Sequence, residues 1–433
     1  MRHKTRSGSH PYQLSRLPNH LQVLTLPMRE RESAAVAVWV RVGGRYEPKR
    51  ISGISHFLEH MLFKGTRRRS SREIKKAVEG VGGMLNAFTA EEATCYFAKL
   101  PAEHFSRAVD VLSDMVKEAS LSVKELERER PVILEVIKMY RDQPAQHVHQ
   151  IMGELLWPDQ PLGRSLAGTL ETVALIRREE MADYKRRYYQ PPNILVSVSG
   201  DVSHAEVVEL AQNYFPDRNG GKHSQFEAAR VYQKKPRFHF IEKGTEQTHL
   251  VIGFHGCSRR DPRRYALGLL NIILGANMSS RLFEEVRERR GLAYEIKSGV
   301  GHYQDTGSIT ISAGVENRKA ALAIKVVLQE LGKLARKPVP AEELRRAKDY
   351  FIGQFLMGLE DTLDHLLWVG EKALYGEEVP DREEITRQIE RVKVEDIQKV
   401  AREIFDTAHL NLTLIGPLKE KEQEKIKRLS RIP

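Results

Sequence analysis

Ala34-Ala35-Val36-Ala37-Val38-Trp39-Val40-Arg41-Val42-Gly43 is a nearly unbroken apolar run that stops at a glycine. Its β-branched content and length read as a largely buried strand. A helix carrying His56-Phe57-Leu58-Glu59-His60 follows, then a second helix over about 71–81. Gly82-Gly83 opens two strands, near 84–89 and 94–100, parted by the polar Ala90-Glu91-Glu92. Longer helical patterns occupy about 102–119, 122–141, 145–157 and 171–189, and a strand at 193–200 precedes a helix ending near Tyr214.

The second half then begins over. A strand is expected at 248–255, helices at 262–275 and 279–290, strands at 293–301 and 307–314, and long helices at about 316–335 and 341–375. The order strand, helix, helix, strand, strand, helices recurs at a spacing of roughly 210 residues, which points to internal duplication of an α+β unit. Polar, glycine-bearing residues 217–224 suit a linker. The expected fold is therefore α+β: two homologous α/β sandwiches over 1–217 and 236–433, joined by 218–235. Each has a mixed, mostly antiparallel sheet flanked by helices.

At 433 residues the chain is long enough for two cores, and 41% hydrophobic with 29% charged residues is ordinary for a globular protein. No run of 18 apolar residues argues for a membrane span, and none of the apolar length a secretory signal needs follows the basic start Met1–Arg6. A short unstructured tail is the expectation there. Cys95 and Cys257, far apart, read as reduced thiols in a cytoplasmic protein, Cys95 as a small core hydrophobe. The net charge of +11 is 69 cations against 58 anions spread along the chain, with no nucleic-acid motif, so neither nucleic acid nor membrane is an expected partner.

The chemistry concentrates on one helical turn. Residues four apart stack on a helix, so His56 and His60 can aim two imidazoles at one cation, with Glu59 beside it. Zinc favours nitrogen ligands and acidifies its bound water, and a neighbouring carboxylate can accept the proton. Ser52-Gly53 suits the helix entry, and Ile54, Phe57, Leu58, Met61 and Leu62 give it an apolar face.

The H-x-x-E-H order is that of the inverzincins, and the chain as a whole resembles the M16 peptidase family, in the branch of bacterial processing-peptidase homologues and the mitochondrial processing peptidase. The resemblance runs through Leu17-Pro18-Asn19, Val38-Trp39-Val40, Gly43-Gly44-Arg45-Tyr46-Glu47 and His56 to Thr66. It continues in Asn86-Ala87-Phe88-Thr89, Ser280-Arg281-Leu282-Phe283, Arg287 and Gly291-Leu292-Ala293-Tyr294. It implies Zn²⁺ held by His56, His60 and a later glutamate, Glu59 as general base, and two chains closing as a clamshell over an extended peptide. It further implies that Asn86, Ala87, Phe88 and Thr89 form an edge strand pairing with the substrate backbone, and that Arg287 and Tyr294 bind substrate and stabilise the oxyanion. Because both the histidine motif and the Arg/Tyr pair are present, a homodimer with composite sites is the simplest assembly, with a heterodimer of related subunits the alternative.

One position departs from the pattern. The resemblance places the third zinc ligand at the second glutamate of a Val-Val-x-Glu-Glu-Ile-Lys-Met-Tyr helix, and the chain reads Val132-Ile133-Leu134-Glu135-Val136-Ile137-Lys138-Met139-Tyr140. Val136 occupies the ligand position, and Val132, Val136 and Tyr140 at i, i+4, i+8 suggest a packed apolar face. Three outcomes stand open. Glu135 serves through a local adjustment near Pro131, Glu129 binds directly, or the site is a two-histidine remnant. The corresponding functions are a zinc-dependent endopeptidase acting on short or unfolded peptides, and a catalytically impaired or inactive scaffold with the same fold.

Overall fold

The computed structural model describes residues 12–216 and 223–433; the basic start, with its expected tail, and linker residues 217–222 lie outside the described residues. The chain forms two compact units. The first comprises the residues up to Ile137, Ser165–Glu227 and Leu356–Arg382, and the second Lys138–Arg164, Ala228–Phe355 and Glu383–Pro433. Neither unit is a continuous half of the sequence.

Unit 1 is built on six strands, β1 (Gln13–Arg16), β2 (Gln22–Pro27), β3 (Ser33–Val40), β4 (Met84–Thr89), β5 (Thr94–Pro101) and β6 (Ile194–Gly200), in the order β1-β2-β6-β3-β5-β4. Unit 2 carries β7 (Arg237–Glu242), β8 (Gln247–Gly256), β9 (Ala293–His302), β10 (Gly307–Glu316) and β11 (Asn411–Gly416), in the order β7-β11-β8-β10-β9. With β1 set aside, the orders superimpose strand for strand. Each sheet has a single parallel pair, β2 with β6 and β7 with β11, and is otherwise antiparallel. The duplicated plan is thus a matter of topology as well as of pattern.

The helices are α1 (Ile54–Leu62), α2 (Ser71–Glu79), α3 (Phe105–Glu118), α4 (Val123–Asp142), α5 (Pro144–Leu156), α6 (Leu170–Leu175), α7 (Arg178–Tyr188), α8 (His204–Tyr214), α9 (Arg264–Leu274), α10 (Ala320–Arg336), α11 (Ala341–Gly358) and α12 (Thr362–Leu374), with three more before the C-terminus. Two long helical patterns each resolve into a pair. Thr169 caps α6, whose helix stops before Arg177, in extended conformation, and α7 restarts beyond it. The pattern over 341–375 breaks at Asp361, whose carboxylate accepts from the backbone of Leu363 and Asp364 and starts α12. The helix expected over 279–290 is a π-helix at Phe283–Glu288.

β3 explains why its sequence is continuous rather than alternating. Ala34, Val36, Val38 and Val40 enter one core with α1 and α3, while Ala35, Ala37 and Trp39 enter a second core with Leu366, Val369 and Ala373 of α12. A strand covered on both faces has no solvent side on which to place polar residues. Cys95 lies wholly buried in the second of these cores, and both cysteines are free.

Candidate functional site

α1 owes its position to a carboxylate outside it. Glu47, buried, accepts hydrogen bonds from the backbone of Gly53 (2.6 Å) and Ser55 (2.8 Å), so it satisfies the orphan donors of the helix start. Gly53 has φ +94°, and a Cβ there would stand 2.6 Å from the Ala167 carbonyl oxygen, so this entry needs glycine. Ser55 adds a hydroxyl contact to Tyr184 at 2.8 Å. Ile54, Phe57, Leu58, Met61 and Leu62 are buried, leaving His56, Glu59 and His60 together on the half-buried side. The anchors Glu47 and Tyr184 carry no local signal of this role in the sequence.

The two imidazoles lie with ring centroids 4.7 Å apart, inclined at 67°. Burial first, and the neighbouring His60 second, pull His56 down to about 4, so it is neutral at neutral pH, the form that donates a lone pair to a metal. Its Nδ1 is buried and, among the described residues, has no hydrogen-bond partner. His60 instead meets Glu129: Nδ1 and Oε1 are 2.9 Å apart, while Lys64 Nζ donates to the other carboxylate oxygen at 2.6 Å. Burial alone would raise the Glu129 carboxyl, but the contacts with His60 and Lys64 outweigh it and hold the group below its usual range. A carboxylate on one ring nitrogen orients the other toward a metal.

Glu59 is held by the strand beside it. Thr89 donates its hydroxyl to Glu59 Oε2 at 2.6 Å. Burial raises the Glu59 carboxyl, and this bond only partly opposes the rise. Thr89 ends β4, an edge strand paired on one side with β5, so Asn86, Ala87 and Phe88 lie along a free edge. The Asn86 side chain already occupies part of that edge, accepting from the Ala87 N–H at 2.8 Å. An incoming strand must displace that contact.

α4 decides the third ligand. Its buried stripe is Leu126, Glu129, Ile133 and Ile137, whereas Val132 and Tyr140 are exposed, so the packed face expected through Val132, Val136 and Tyr140 is not the packed one. The i, i+4, i+8 spacing is real, but it runs along the solvent-facing border of the stripe that Glu129 shares with Leu126, Ile133 and Ile137. Glu135 lies on an exposed side of the helix; six residues beyond Glu129, it is turned about 120° from it. Val136, seven residues on, is nearly in line with Glu129 and offers no donor. α4 runs through Pro131 without a break. Among the described residues no group of three His, Cys, Asp or Glu side chains is arranged to hold a metal ion. The unpartnered Nδ1 of His56 and the Glu129-bound His60 suit half of a zinc site. The full donor set does not fit a catalytic zinc with three protein ligands.

Arg287 and Tyr294 belong to unit 2, and the structure brings them together. The guanidinium lies 5.0 Å from the Tyr294 ring centroid and 4.5 Å from that of Phe283, while Tyr294 is 79% exposed. The π-helix supplies the arginine and β9 the tyrosine.

Residues 22–170 match the family model described as Insulinase (Peptidase family M16), and residues 176–351 match Peptidase M16 inactive domain. A protein of Bacillus subtilis named as an uncharacterized zinc protease is 36% identical over 389 residues, 89% of this chain and 93% of that protein. One of Streptomyces coelicolor with the same description is 34% identical over 416 residues, 95% of this chain and 90% of the other. Among solved structures, a protease from Helicobacter pylori aligns with a TM-score of 0.89 at 24% identity, covering 94% of this chain and 99% of that one. A structure from Pseudomonas fluorescens, titled as a peptidase M16 inactive domain, aligns at 0.87 and 20% identity over 94% and 98%. These last two speak to the fold.

Proposed function

Because this chain belongs to the M16 peptidase family, we propose that it binds extended peptides along β4 with a two-histidine metal site that leaves hydrolysis impaired. The observation that carries this reading is Val136, an apolar side chain in line with Glu129, with Glu135 turned to an exposed side. Zinc bound there would polarise a peptide carbonyl and acidify water. His56 and His60 would hold it, Glu129 would orient His60, and Glu59 would exchange the proton. With two nitrogens in place of three ligands, metal is held weakly and the proton-transfer group has little to work on.

A second reading, a competent zinc-dependent endopeptidase, is favoured by the intact His56, Glu59 and His60 and by the names of the relatives. The simplest partner in either case is a second copy of this chain, since one chain carries both the histidine turn and the Arg287–Tyr294 pair. The deciding experiment is zinc quantification with hydrolysis of a mixed peptide library by wild type and Val136→Glu, each with Glu59→Gln as control. The expected result is substoichiometric zinc and slow cleavage in wild type, both rising in Val136→Glu. Removing Glu59 from that variant should then lower its rate by about 10²–10⁴-fold, the usual worth of a general base. One zinc per wild-type chain, with cleavage as fast as in Val136→Glu, sinks the first reading and establishes the second.

A further inference from the structure

Corresponding faces of the two sheets are closed differently toward their free edges. In unit 1, the face under α12 ends in aromatic rings: Trp39 meets Phe88 edge-on at 5.7 Å, and Phe88 meets Phe97 at 6.2 Å. Gly370 of α12 presses so close that a Cβ there would stand 2.7 Å from Trp39 Nε1. In unit 2, α5 takes the matching place on β8 and β11, and its apolar contacts run through Val148, Ile151, Val251 and Ile415. Toward β9 the cover stops and a cavity of about 220 Å³ opens, far above the ~15 Å³ that seats one water.

Strand register builds this cavity. His249 stands opposite Gly314, which stands opposite Glu295, and Ser312 stands opposite Lys297. Gly314 keeps the floor low, since a Cβ there would lie 2.8 Å from Gln247 Oε1. His149 of α5 and Tyr294 at the β9 edge complete the lining. Among the described residues, the side chains of His149, His249, Gln247, Ser312 and Tyr294 make no hydrogen bond. Lys297 pairs with Glu295, at 2.9 Å in an exposed pair, which holds it weakly.

We propose that this cavity binds the free terminal carboxylate of a peptide. A carboxylate only accepts hydrogen bonds and takes up to about four; an ammonium, two imidazoles, an amide, a hydroxyl and a phenol around one space are a donor set for it. The exposed Tyr294 ring gives the last side chain an apolar wall. The lining holds one acid, Glu295, already facing Lys297, and no three metal-binding side chains gather here among the described residues. This site rests on the reading that the chain binds peptides, and not on Val136 or on hydrolysis.

The test uses the full chain and a short probe, N-acetyl-Ala-Ala-Leu, as free acid and as amide, with affinities read by calorimetry. The acid should bind about tenfold more tightly, equivalent to ~1.4 kcal/mol. That preference should vanish in Lys297→Met and in His249→Phe while the thermal midpoints stay put, and Ser312→Leu, which fills the space, should abolish binding of both. Equal affinity for acid and amide, no binding of the acid at millimolar concentration, or a preference that survives both charge-side variants overturns the proposal. Equally tight binding of N-acetyl-Ala-Glu-Ala amide overturns the terminal assignment, since a side-chain carboxylate would then serve. Any of these failures leaves the zinc comparison at Val136 intact.

Discussion

The helix that follows the central strand differs most between the two units. In unit 1 that helix is α1, with His56, Glu59 and His60 on its half-buried side. In unit 2 it is α9, where Ala266, Leu267, Leu269, Leu270, Ile272, Ile273 and Leu274 are buried and no metal-binding side chain occurs between Arg264 and Leu274. The strand orders are the same and so are the parallel pairs. One backbone plan thus presents half-buried His and Glu side chains in one copy and only packing residues in the other, because the fold fixes positions while side chains fix function. The faces under α12 and α5 reverse the contrast: aromatic rings seal unit 1, and unit 2 keeps a polar cavity.

The sharpest way to break that comparison is to open the sealed face. Trp39→Ala removes a buried ring packed on Phe88 and Gly370 and should cost about 3–5 kcal/mol. Ser312→Ala, on the corresponding face of unit 2, should stay within ~0.5 kcal/mol of wild type. Urea unfolding measures both, and comparable losses would mean the cavity is as structural as the seal.

A smaller effect separates the two sheet edges. Thr89 on β4 donates to the Glu59 carboxylate, whereas the ring of Tyr294 on β9 lies against the Arg287 guanidinium. In the Val136→Glu background, Thr89→Val should lower kcat about tenfold, the worth of one hydrogen bond to a charged group, and Thr89→Ser should restore it. Tyr294→Phe should leave the Thr89 bond to Glu59 intact and act instead through substrate binding, read as a rise in KM. A Thr89→Val variant that changes KM alone would reduce Thr89 to a strand residue.

The last effect is a pH dependence to which each unit contributes one buried imidazole, His56 in unit 1 and His255 in unit 2. His255 lies edge-on to Trp157 and its Nε2 reaches the Leu156 carbonyl oxygen at 2.9 Å. Burial pulls it from 6.5 down to about 4. As pH falls, the unfolded chain therefore takes the proton first, and the stability held above pH 6.5 drains away toward pH 4. His255→Gln should reduce the fall of the urea midpoint over that window, leaving the share that His56 carries. An unchanged slope would place the acid sensitivity elsewhere.

How much of this was legible depends on the range of the interactions. β3, β4, β5 and α1 announce themselves through continuous apolar runs and helical spacing, which are local. β7 and β11 escape a pattern reading, since Arg237–Glu242 and Asn411–Gly416 are short and become strands by pairing with each other and with β8. α12 reads as the tail of a longer helix until Asp361 caps it, and nothing local reveals that it covers Ala35, Ala37 and Trp39. At the site, the turn His56–His60 is visible at once, but the Glu47 anchor of α1 and the contacts among Thr89, Glu59, Lys64 and Glu129 join residues far apart in the chain.

The sequence by itself determined the duplicated strand and helix plan, the stacked imidazoles and the valine where a carboxylate was expected, because periodicity and residue identity are properties of neighbours. The tertiary structure alone decided that segment 356–382 completes unit 1 and 138–164 completes unit 2, that Glu129 is spent on His60 and Lys64, and that Glu135 stays on an exposed side of α4. Those outcomes turn on which helix face finds a core to bury against, and burial is settled only when distant segments meet.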